Sequence, residues 1–445
     1  MPKSVRRKKR LSSFRLILLG FAGVIVLGAL LLMLPVSSVQ RVVTPFDDAL
    51  FTSTSAVCVT GLVVRDTGSY WSVFGQAVII TLIQIGGLGV ITVAASFAML
   101  SGRKISLMQR STMQNAISAP EVGGIVRLTR FILFGTFIVE TVGALLLMPA
   151  FCRDFGARGI WLSFFHSISA FCNAGFDILG TTDNPFSSLT GYDVNPLVNI
   201  TVMLLITIGG IGFLTWDDIC TKRFHIKRYR MQSKVILVTS ALLVFVPAVF
   251  FYFSDFSGEK ISTGILHALF QSVTTRTAGF NTVNLSEMSG SSRAVMIFLM
   301  LIGGSPGSTA GGMKTTTVAV LFATATATFF QRDNIGFFGR RIEDGVIKNV
   351  ATLITMYMTL FFVSGVAISV IENIPLSVCL FETASAVGTV GLTLGITPTL
   401  GIASKFILAI LMYFGRVGGL TLIYATFSNK QHTNAKLPQE KITVG

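Results

Sequence analysis

Apolar residues along this chain fall into runs too long for a soluble fold. Predominantly apolar stretches cover 14–35, 72–100, 127–151, 194–216, 233–254, 292–330, 346–372 and 402–427. Most reach the ~20 residues a helix needs to cross a bilayer. Four shorter apolar segments lie between them, near 47–58, 161–172, 263–275 and 376–387. At about half the spanning length these cannot cross. Backbone that turns back at membrane depth is tolerated only where it lines a water-filled cavity or is buried in protein. The order long, half, long occurs four times. The pattern predicts an all-α membrane protein with four M1–P-loop–M2 repeats in one chain around a pseudo-fourfold pore. The repeats are read as 14–110, 111–230, 231–335 and 336–428, between a basic N-terminal segment 1–13 and a tail 429–445.

Aligning the half-length segments gives the repeats a second support. "FTSTSAVCVTG" (51–61), "FHSISAFCNAG" (165–175), "LFQSVTTRTAG" (269–279) and "FETASAVGTVG" (381–391) share a final glycine. Three of them share Phe ten residues before it, Ser six before and Ala five before. The anchors Gly61, Gly175, Gly279 and Gly391 are 114, 104 and 112 residues apart. A glycine-rich landmark follows each: Gly86-Gly87-Leu88-Gly89, Gly209-Gly210-Ile211-Gly212, Gly303-Gly304-Ser305-Pro306-Gly307 and Gly415-Arg416-Val417-Gly418. It begins 25, 34, 24 and 24 residues after the anchor, the second repeat carrying extra loop residues.

Composition agrees with the pattern. Hydrophobic residues make up 51% and charged residues 12%, against about 25% charged in soluble domains; mean hydropathy is +0.72. The first apolar run follows a basic head, as in a signal peptide, but it is long and lacks a small-x-small cleavage site. It reads as a retained first span. The net charge of +15 would suit nucleic acid, but its distribution does not. With the N-terminus placed inside, 25 Lys and Arg fall in inner segments and 8 in outer ones, the bias that sets orientation in a membrane. Membrane lipid is therefore the expected surroundings and no nucleic-acid partner is. Both termini are expected to be cytoplasmic, in a multi-pass protein of the plasma membrane. The outer segments hold most acids, among them Asp47, Asp48, Asp177, Asp193, Asp255, Glu259, Glu287 and Glu382, which would either concentrate cations or merely solvate loops. The five cysteines and four histidines form no metal-ligand spacing, and no clustered intramembrane His, Asp or Glu suggests an enzyme or an organic cofactor.

Thr389-Val390-Gly391 resembles the carbonyl-lined filter of potassium channels, where four loops strip an ion's hydration shell. Its counterparts are Val59-Thr60-Gly61, Asn173-Ala174-Gly175 and Thr277-Ala278-Gly279. Varied side chains around a fixed glycine suit coordination by backbone carbonyls, because glycine adopts dihedrals costly to other residues. The competing reading is four packing glycines at helix ends. One glycine per loop, where the channel motif has two, predicts a shorter stack of ion sites and less stringent selectivity. Below the loops, "IGGSPGSTAGGMKTTT" (302–317) interrupts an apolar run with five glycines and a proline, residues that cost a helix about 1 and 3 kcal/mol each. It is expected to be an occluding loop or a static break. Arg416 lies in "LMYFGRVGGL", in register with Leu88-Gly89 and Ile211-Gly212. It either faces the pore as an electrostatic barrier or pairs with a buried acid such as Glu140. Arg276 is expected to brace its loop against an outer acid.

These loops, "SAVCVTGL", "SAFCNAGF", "TTRTAGF" and "SAVGTVGL", together with "GGSPGSTAGGMKT" and Arg416, resemble the Trk/Ktr/HKT superfamily of potassium transporters over essentially the whole chain. With no extra helices before the first repeat, the chain is most similar to the shorter Ktr-type members. The resemblance implies a potassium filter formed by Val59, Thr60, Gly61, Asn173, Ala174, Gly175, Thr277, Ala278, Gly279, Thr389, Val390 and Gly391. It implies a gate of Gly303, Gly304, Ser305, Pro306, Gly307, Ser308, Thr309, Ala310, Gly311, Gly312, Met313 and Lys314, with Arg416. It further implies K⁺ as the transported ion, Na⁺ as an activator, a homodimer, and a cytoplasmic ring of nucleotide-binding KtrA-type regulatory subunits. An H⁺- or Na⁺-coupled symporter of the TrkH type is the alternative, with Glu140 as the candidate relay.

Overall fold

The computed structural model describes residues 12–100, 106–117, 123–223, 225–426 and 440; segment 1–13 and tail 429–445 therefore lie almost wholly outside the described residues. The first repeat contains α1 (Ser13–Met33), α2 (Phe46–Cys58), α3 (Val73–Leu88), α4 (Val90–Leu100) and α5 (Leu107–Ile117). The second contains α6 (Ile125–Phe155), α7 (Arg158–Phe171), α8 (Pro196–Gly210) and α9 (Phe213–Lys222). The third contains α10 (Met231–Phe251), α11 (Ile261–Thr274), α12 (Gly290–Leu301) and α13 (Thr315–Phe329). The fourth contains α14 (Asp344–Glu372), α15 (Leu376–Gly388), α16 (Ile402–Val417) and α17 (Gly419–Thr426). A two-residue hairpin, Gly336–Phe337 against Arg340–Arg341, precedes α14.

The half-length segments α2, α7, α11 and α15 are the most enclosed elements. Each packs against the preceding long helix of its own repeat. A serine on three of them donates to a carbonyl of that helix: Ser53 to Ile25 (2.7 Å), Ser167 to Glu140 (2.6 Å) and Ser272 to Val244 (2.6 Å). In return the long helices carry glycines there. A Cβ on Gly28 would press on Ser53, and one on Gly143 on Ser167. Each short helix also meets the second helix of the neighbouring repeat: α16 on α2, α3 on α7, α8 on α11 and α12 on α15. That order closes the four repeats into a ring.

The long second helices expected at 72–100, 194–216 and 402–427 are not continuous. Each bends, by 97° after α3, 98° after α8 and 92° after α16. The breaks fall at Gly89 (φ +87°), Gly212 (+92°) and Gly418 (+86°), whose left-handed dihedrals an α-helix cannot contain. The first landmark glycine of each is forced by packing: a Cβ on Gly86, Gly209 or Gly415 would collide with the carbonyl of Val57, Phe171 or Val387 at the end of the short helix. The apolar stretch 292–330 is split as its glycines and proline predict, with 13 non-helical residues between α12 and α13. Among the described residues four helices are long and apolar enough to cross a membrane, or up to seven when each bent pair counts as one span.

Charged residues expected on the outer face come together. Asp48, 4% exposed, accepts from Arg65 Nε (2.8 Å) and Lys405 Nζ (2.9 Å). It ties the start of α2 to α16 across the first and fourth repeats. This acid is neutralised by its partners and does not add to a free negative surface. Glu382, 0% exposed, was also expected at the surface. It is instead buried behind the fourth loop, accepting from Thr393 Oγ1, Leu394 N and Thr397 Oγ1.

Candidate functional site

The four anchor loops meet at one place. The residue two before each anchor, Val59, Asn173, Thr277 or Thr389, is left-handed, with φ of +57°, +60°, +65° and +53°. The anchors Gly61, Gly175, Gly279 and Gly391 have φ of +93°, +69°, +82° and +95°, while the residue between keeps negative φ. Alternating the sign of φ along three residues turns successive peptide groups to the same side, the arrangement a backbone-carbonyl cation site requires. β-Branched residues rarely adopt φ > 0, so Val59, Thr277 and Thr389 store backbone strain.

The loops also face one another in cyclic order. A Cβ on Gly61 would lie 2.6 Å from the carbonyl oxygen of Ala174, and one on Gly175 would lie 2.7 Å from that of Ala278. One on Gly279 would strike the oxygen of Val390, and one on Gly391 that of Thr60, which closes the ring. All twelve loop residues are thus brought together. Hydrogen bonds from the short helices fix them. Ser55 O accepts from Thr60 N, Ser169 O from Ala174 N and Ser385 O from Val390 N, each at 2.8 Å. The Oγ of Ser55 and Ser385 accept from Gly61 N (3.1 Å) and Gly391 N (3.0 Å).

The third repeat is one residue short before its anchor. Phe270 lies nine residues before Gly279, whereas Phe51, Phe165 and Phe381 lie ten before theirs; all four are buried. Thr274 accordingly does the work of Ser169: Thr274 Oγ1 donates to Phe280 O (2.6 Å) as Ser169 Oγ donates to Phe176 O (2.7 Å). The alignment that placed Leu269 opposite the phenylalanines is corrected by this shift.

Directly beside the ring lies the segment between α12 and α13. It folds back on itself, Gly303 N donating to Met313 O (2.7 Å) and Thr315 N to Gly304 O (3.0 Å). It is tied to three neighbours. Ser305 N donates to Gly210 O (3.0 Å), Phe213 N to Gly307 O (2.7 Å) and Gly312 N to Gly415 O (3.1 Å). Thr309 Oγ1 lies 3.1 Å from Phe171 O and 3.2 Å from Asn173 Oδ1, while a Cβ on Gly311 would strike Thr389. The loop therefore touches two of the anchor loops, through Asn173, whose Nδ2 also donates to Thr277 Oγ1 of the third loop (3.3 Å), and through Thr389.

Arg416 reaches this loop without meeting a carboxylate among the described residues. Nη1 donates to Thr309 O, and Nη2 to Gly86 O (2.5 Å) and Gly87 O (2.9 Å). Glu140 is held elsewhere, accepting from Gln84 Nε2 at 3.0 and 3.2 Å, so the expected alternative of an Arg416–Glu140 pair is not formed. Packing of Gly415 and Gly86 on equivalent carbonyls places Arg416 opposite Gly87 and Gly210, one residue earlier than Leu88-Gly89 and Ile211-Gly212. Lys314 Nζ donates to Ala310 O (2.8 Å). Arg416 and Lys314 line one cavity of about 210 Å³, walled also by Phe21, Ile117, Met313 and Tyr357. Among the described residues Arg276 braces no acid. It is 7% exposed and its guanidinium meets the carbonyl and hydroxyl of Ser240 on α10, at 3.4 and 3.2 Å.

Residues 21–437 match the family model of TrkH, a cation transport protein. The chain is 39% identical to the potassium/sodium uptake protein NtpJ of Enterococcus hirae, across 100% of this chain and 99% of that one. It is 35% identical to the Ktr system potassium uptake protein B of Bacillus subtilis, across 96% and 95%. Its fold matches the crystal structure of the potassium transporter TrkH from Vibrio parahaemolyticus with a TM-score of 0.73 at 20% identity, over 95% of this chain and 86% of that one.

Proposed function

This chain belongs to the TrkH family of cation transport proteins, and we propose that it carries K⁺ inward across the plasma membrane through the ring of anchor loops. It is a multi-pass membrane transport protein of the Trk/Ktr group and not an enzyme. One observation carries the reading: four loops of alternating handedness, each glycine against the carbonyl of the next loop, closed around one axis. Neutral carbonyl oxygens held by the surrounding helices replace the hydration shell of a dehydrated alkali cation. The twelve residues 59–61, 173–175, 277–279 and 389–391 act as the filter. The half-length helices end at these loops, so their negative dipole ends favour a cation there.

The gate in this reading is segment 303–314 with Arg416. Two half-buried basic side chains, Lys314 and Arg416, with no carboxylate partner among the described residues, oppose an approaching K⁺, and Coulomb repulsion between them and the ion is strengthened by low-dielectric surroundings. Arg416 does a second job, since its bond to Thr309 O holds the loop beneath Asn173. The relatives' names support K⁺ as the ion, and one of them adds Na⁺. A KtrB-like homodimer under a cytoplasmic ring of nucleotide-binding KtrA-type subunits, Na⁺ as activator and both termini cytoplasmic complete the proposal. A proton relay is less favoured, because Glu140 is capped by Gln84 and lies 4.0 Å from Cys172 Sγ, with no second carboxylate placed to continue a path among the described residues.

Arg416→Gln removes the charge and the loop's tether. It is expected to raise K⁺ influx into proteoliposomes, by about tenfold if ~1.4 kcal/mol of barrier is lost, with K⁺ over Na⁺ selectivity retained. Arg416→Lys keeps the charge and should stay closer to wild type. A Gln variant that assembles normally but transports no faster counts against the barrier role. The same influx assay, run with and without Na⁺, tests the activator. Absence of K⁺ influx in both conditions, in a chain reconstituted with its regulatory subunit, would overturn the proposed function.

A further inference from the structure

A cavity of about 620 Å³ lies away from the gate, between the outer loop of the second repeat and the start of the third repeat's short helix. Asp193, Asp255, Glu259 and Glu287 line it, with His267 and Thr282. Four carboxylates from three separate segments face one space, and their partners inside the protein are few. Asp255 is committed, accepting from Ser289 N (2.8 Å) and Ser292 Oγ at the start of α12. Glu287 uses one oxygen on Asn284 Nδ2 (2.6 Å). Asp193 reaches only as far as His267 Nε2, at 4.0 Å, among the ion contacts of the described residues.

One buried polar group lining this space lacks a partner, and a second has carboxylates near it but no hydrogen bond. Thr282, 3% exposed, has a hydroxyl with no hydrogen bond. His267, 5% exposed, has neither ring nitrogen in hydrogen-bond geometry, although Nδ1 lies 2.9 Å from Glu259 Oε2; that contact is off-axis and counts as charge proximity alone. Buried polar atoms without partners are rare, and an unseen ion or water is a standard reason for them. The volume far exceeds the about 10–15 Å³ that one water needs. Among the described residues no three His, Cys, Asp or Glu groups converge closely enough to share a bare metal ion. The occupant therefore keeps its own shell of donors.

We propose that this cavity binds a multivalent cation carrying its own hydrogen-bond donors, either a hydrated divalent ion or an organic polyamine. The carboxylates of Asp193, Glu259 and Glu287 accept from its donors. Thr282 and His267 supply the acceptors that the carboxylates do not reach. The site joins two repeats: Leu189 N donates to Asn281 O (2.9 Å) and Asn281 N to Ser188 Oγ (3.0 Å). Thr282 follows Gly279 by three residues. A cation held between Asp193 and Glu287 would stiffen this seam beside the third anchor loop and slow ion passage. The proposal rests on the transport reading only for the cavity being on the outer face and for that effect.

Binding is tested on the full chain in nanodiscs of zwitterionic lipid by titration calorimetry. The probe is hexaamminecobalt(III), whose ammine shell does not exchange and whose donors mimic both candidates. One saturable site per chain is expected, weakened about tenfold in Asp193→Asn/Glu287→Gln by loss of two charge-assisted contacts and unchanged in Asp183→Asn, an exposed acid outside the cavity. Displacement by Mg²⁺ identifies the inorganic ligand and displacement by spermine the organic one. Failure of both to displace overturns the proposal, as does equal binding by the double variant. Should the double variant not fold, Asp193→Asn alone carries the comparison, because this half-exposed side chain has no hydrogen bond to lose. Calorimetry reads binding without transport, so a chain that moves no K⁺ would leave the result standing.

Discussion

Removing residues 305–312 raises K⁺ flux through the chain by at least about tenfold, the change expected when ~1.4 kcal/mol of barrier disappears. The geometry makes the deletion tolerable. Ile302 and Met313 already pair as a bridge, and Gly303 N bonds Met313 O at 2.7 Å. The two ends of the excised segment are therefore side by side, and Gly304 can be joined to Met313 with little movement of α12 or α13. What is lost is the material beneath the anchor loops: the Thr309 bonds to Phe171 and Asn173, and the Thr309 carbonyl that holds Arg416. Arg416 would keep its bonds to Gly86 and Gly87, so its charge remains and part of the barrier with it. Efflux of rubidium or potassium from loaded proteoliposomes reads the change. A deletion variant that elutes as a single species and leaks no faster than wild type would show that the segment is a static break in the helix and not the barrier.

Gly391→Ser and Gly61→Ser abolish most discrimination between K⁺ and Na⁺. Two costs act together. At φ of +95° and +93° an L-residue is strained by roughly 1–2 kcal/mol. The new Cβ also runs into a neighbouring carbonyl oxygen, that of Thr60 for Gly391 and that of Ala174 for Gly61. Those oxygens belong to the adjacent loop, so one substitution displaces ligands in two repeats at once. A ring distorted by a few tenths of an ångström loses the geometry that distinguishes two ions of equal charge. Competition of Na⁺ against K⁺ influx reads the effect. Gly395→Ser is the control: its φ is +91° but no atom lies within 4 Å of a Cβ there, so backbone strain without a ring contact should leave selectivity in place. Unaltered selectivity in Gly391→Ser would remove the ring from the account.

Much of the architecture was legible because it repeats. Half-length apolar segments between long ones predicted the re-entrant helices, and the fixed final glycine located the ring, since few residues other than glycine combine φ > 0 with so close a neighbour. The breaks at Gly89, Gly212 and Gly418 were not legible. Their flanks are as apolar as a continuous span, and hydropathy is blind to a left-handed residue that redirects a helix by about 90°. The one-residue deletion before Gly279 was hidden for a related reason. Leu269 and Phe270 are both apolar, and only the bond from Thr274 to Phe280 reveals the shift. The alignment treated the left-handed residues Val59, Asn173, Thr277 and Thr389 as variable. They share a conformation and no side chain, so composition carried no signal. Arg416 was legible as a costly intramembrane charge, but its carbonyl partners were not, because backbone acceptors have no letter in the sequence. Glu382 and Asp48 read as outer acids for the same reason in reverse: the threonines, Arg65 and Lys405 that bury them are neighbours in space.

In the proposed function, backbone carbonyls and not side chains select the ion. Replacing Leu392 with its α-hydroxy acid analogue changes the Gly391 carbonyl from an amide to an ester and leaves every side chain in place. An ester oxygen is a weaker ligand, and Gly391 belongs to the loop whose neighbours are Thr60 and Gly61. The measurement is the K⁺ to Na⁺ permeability ratio of the substituted protein in proteoliposomes. A ratio clearly below that of the unmodified chain is expected, with the protein folded and still conducting. An unchanged ratio would contradict selection by carbonyls.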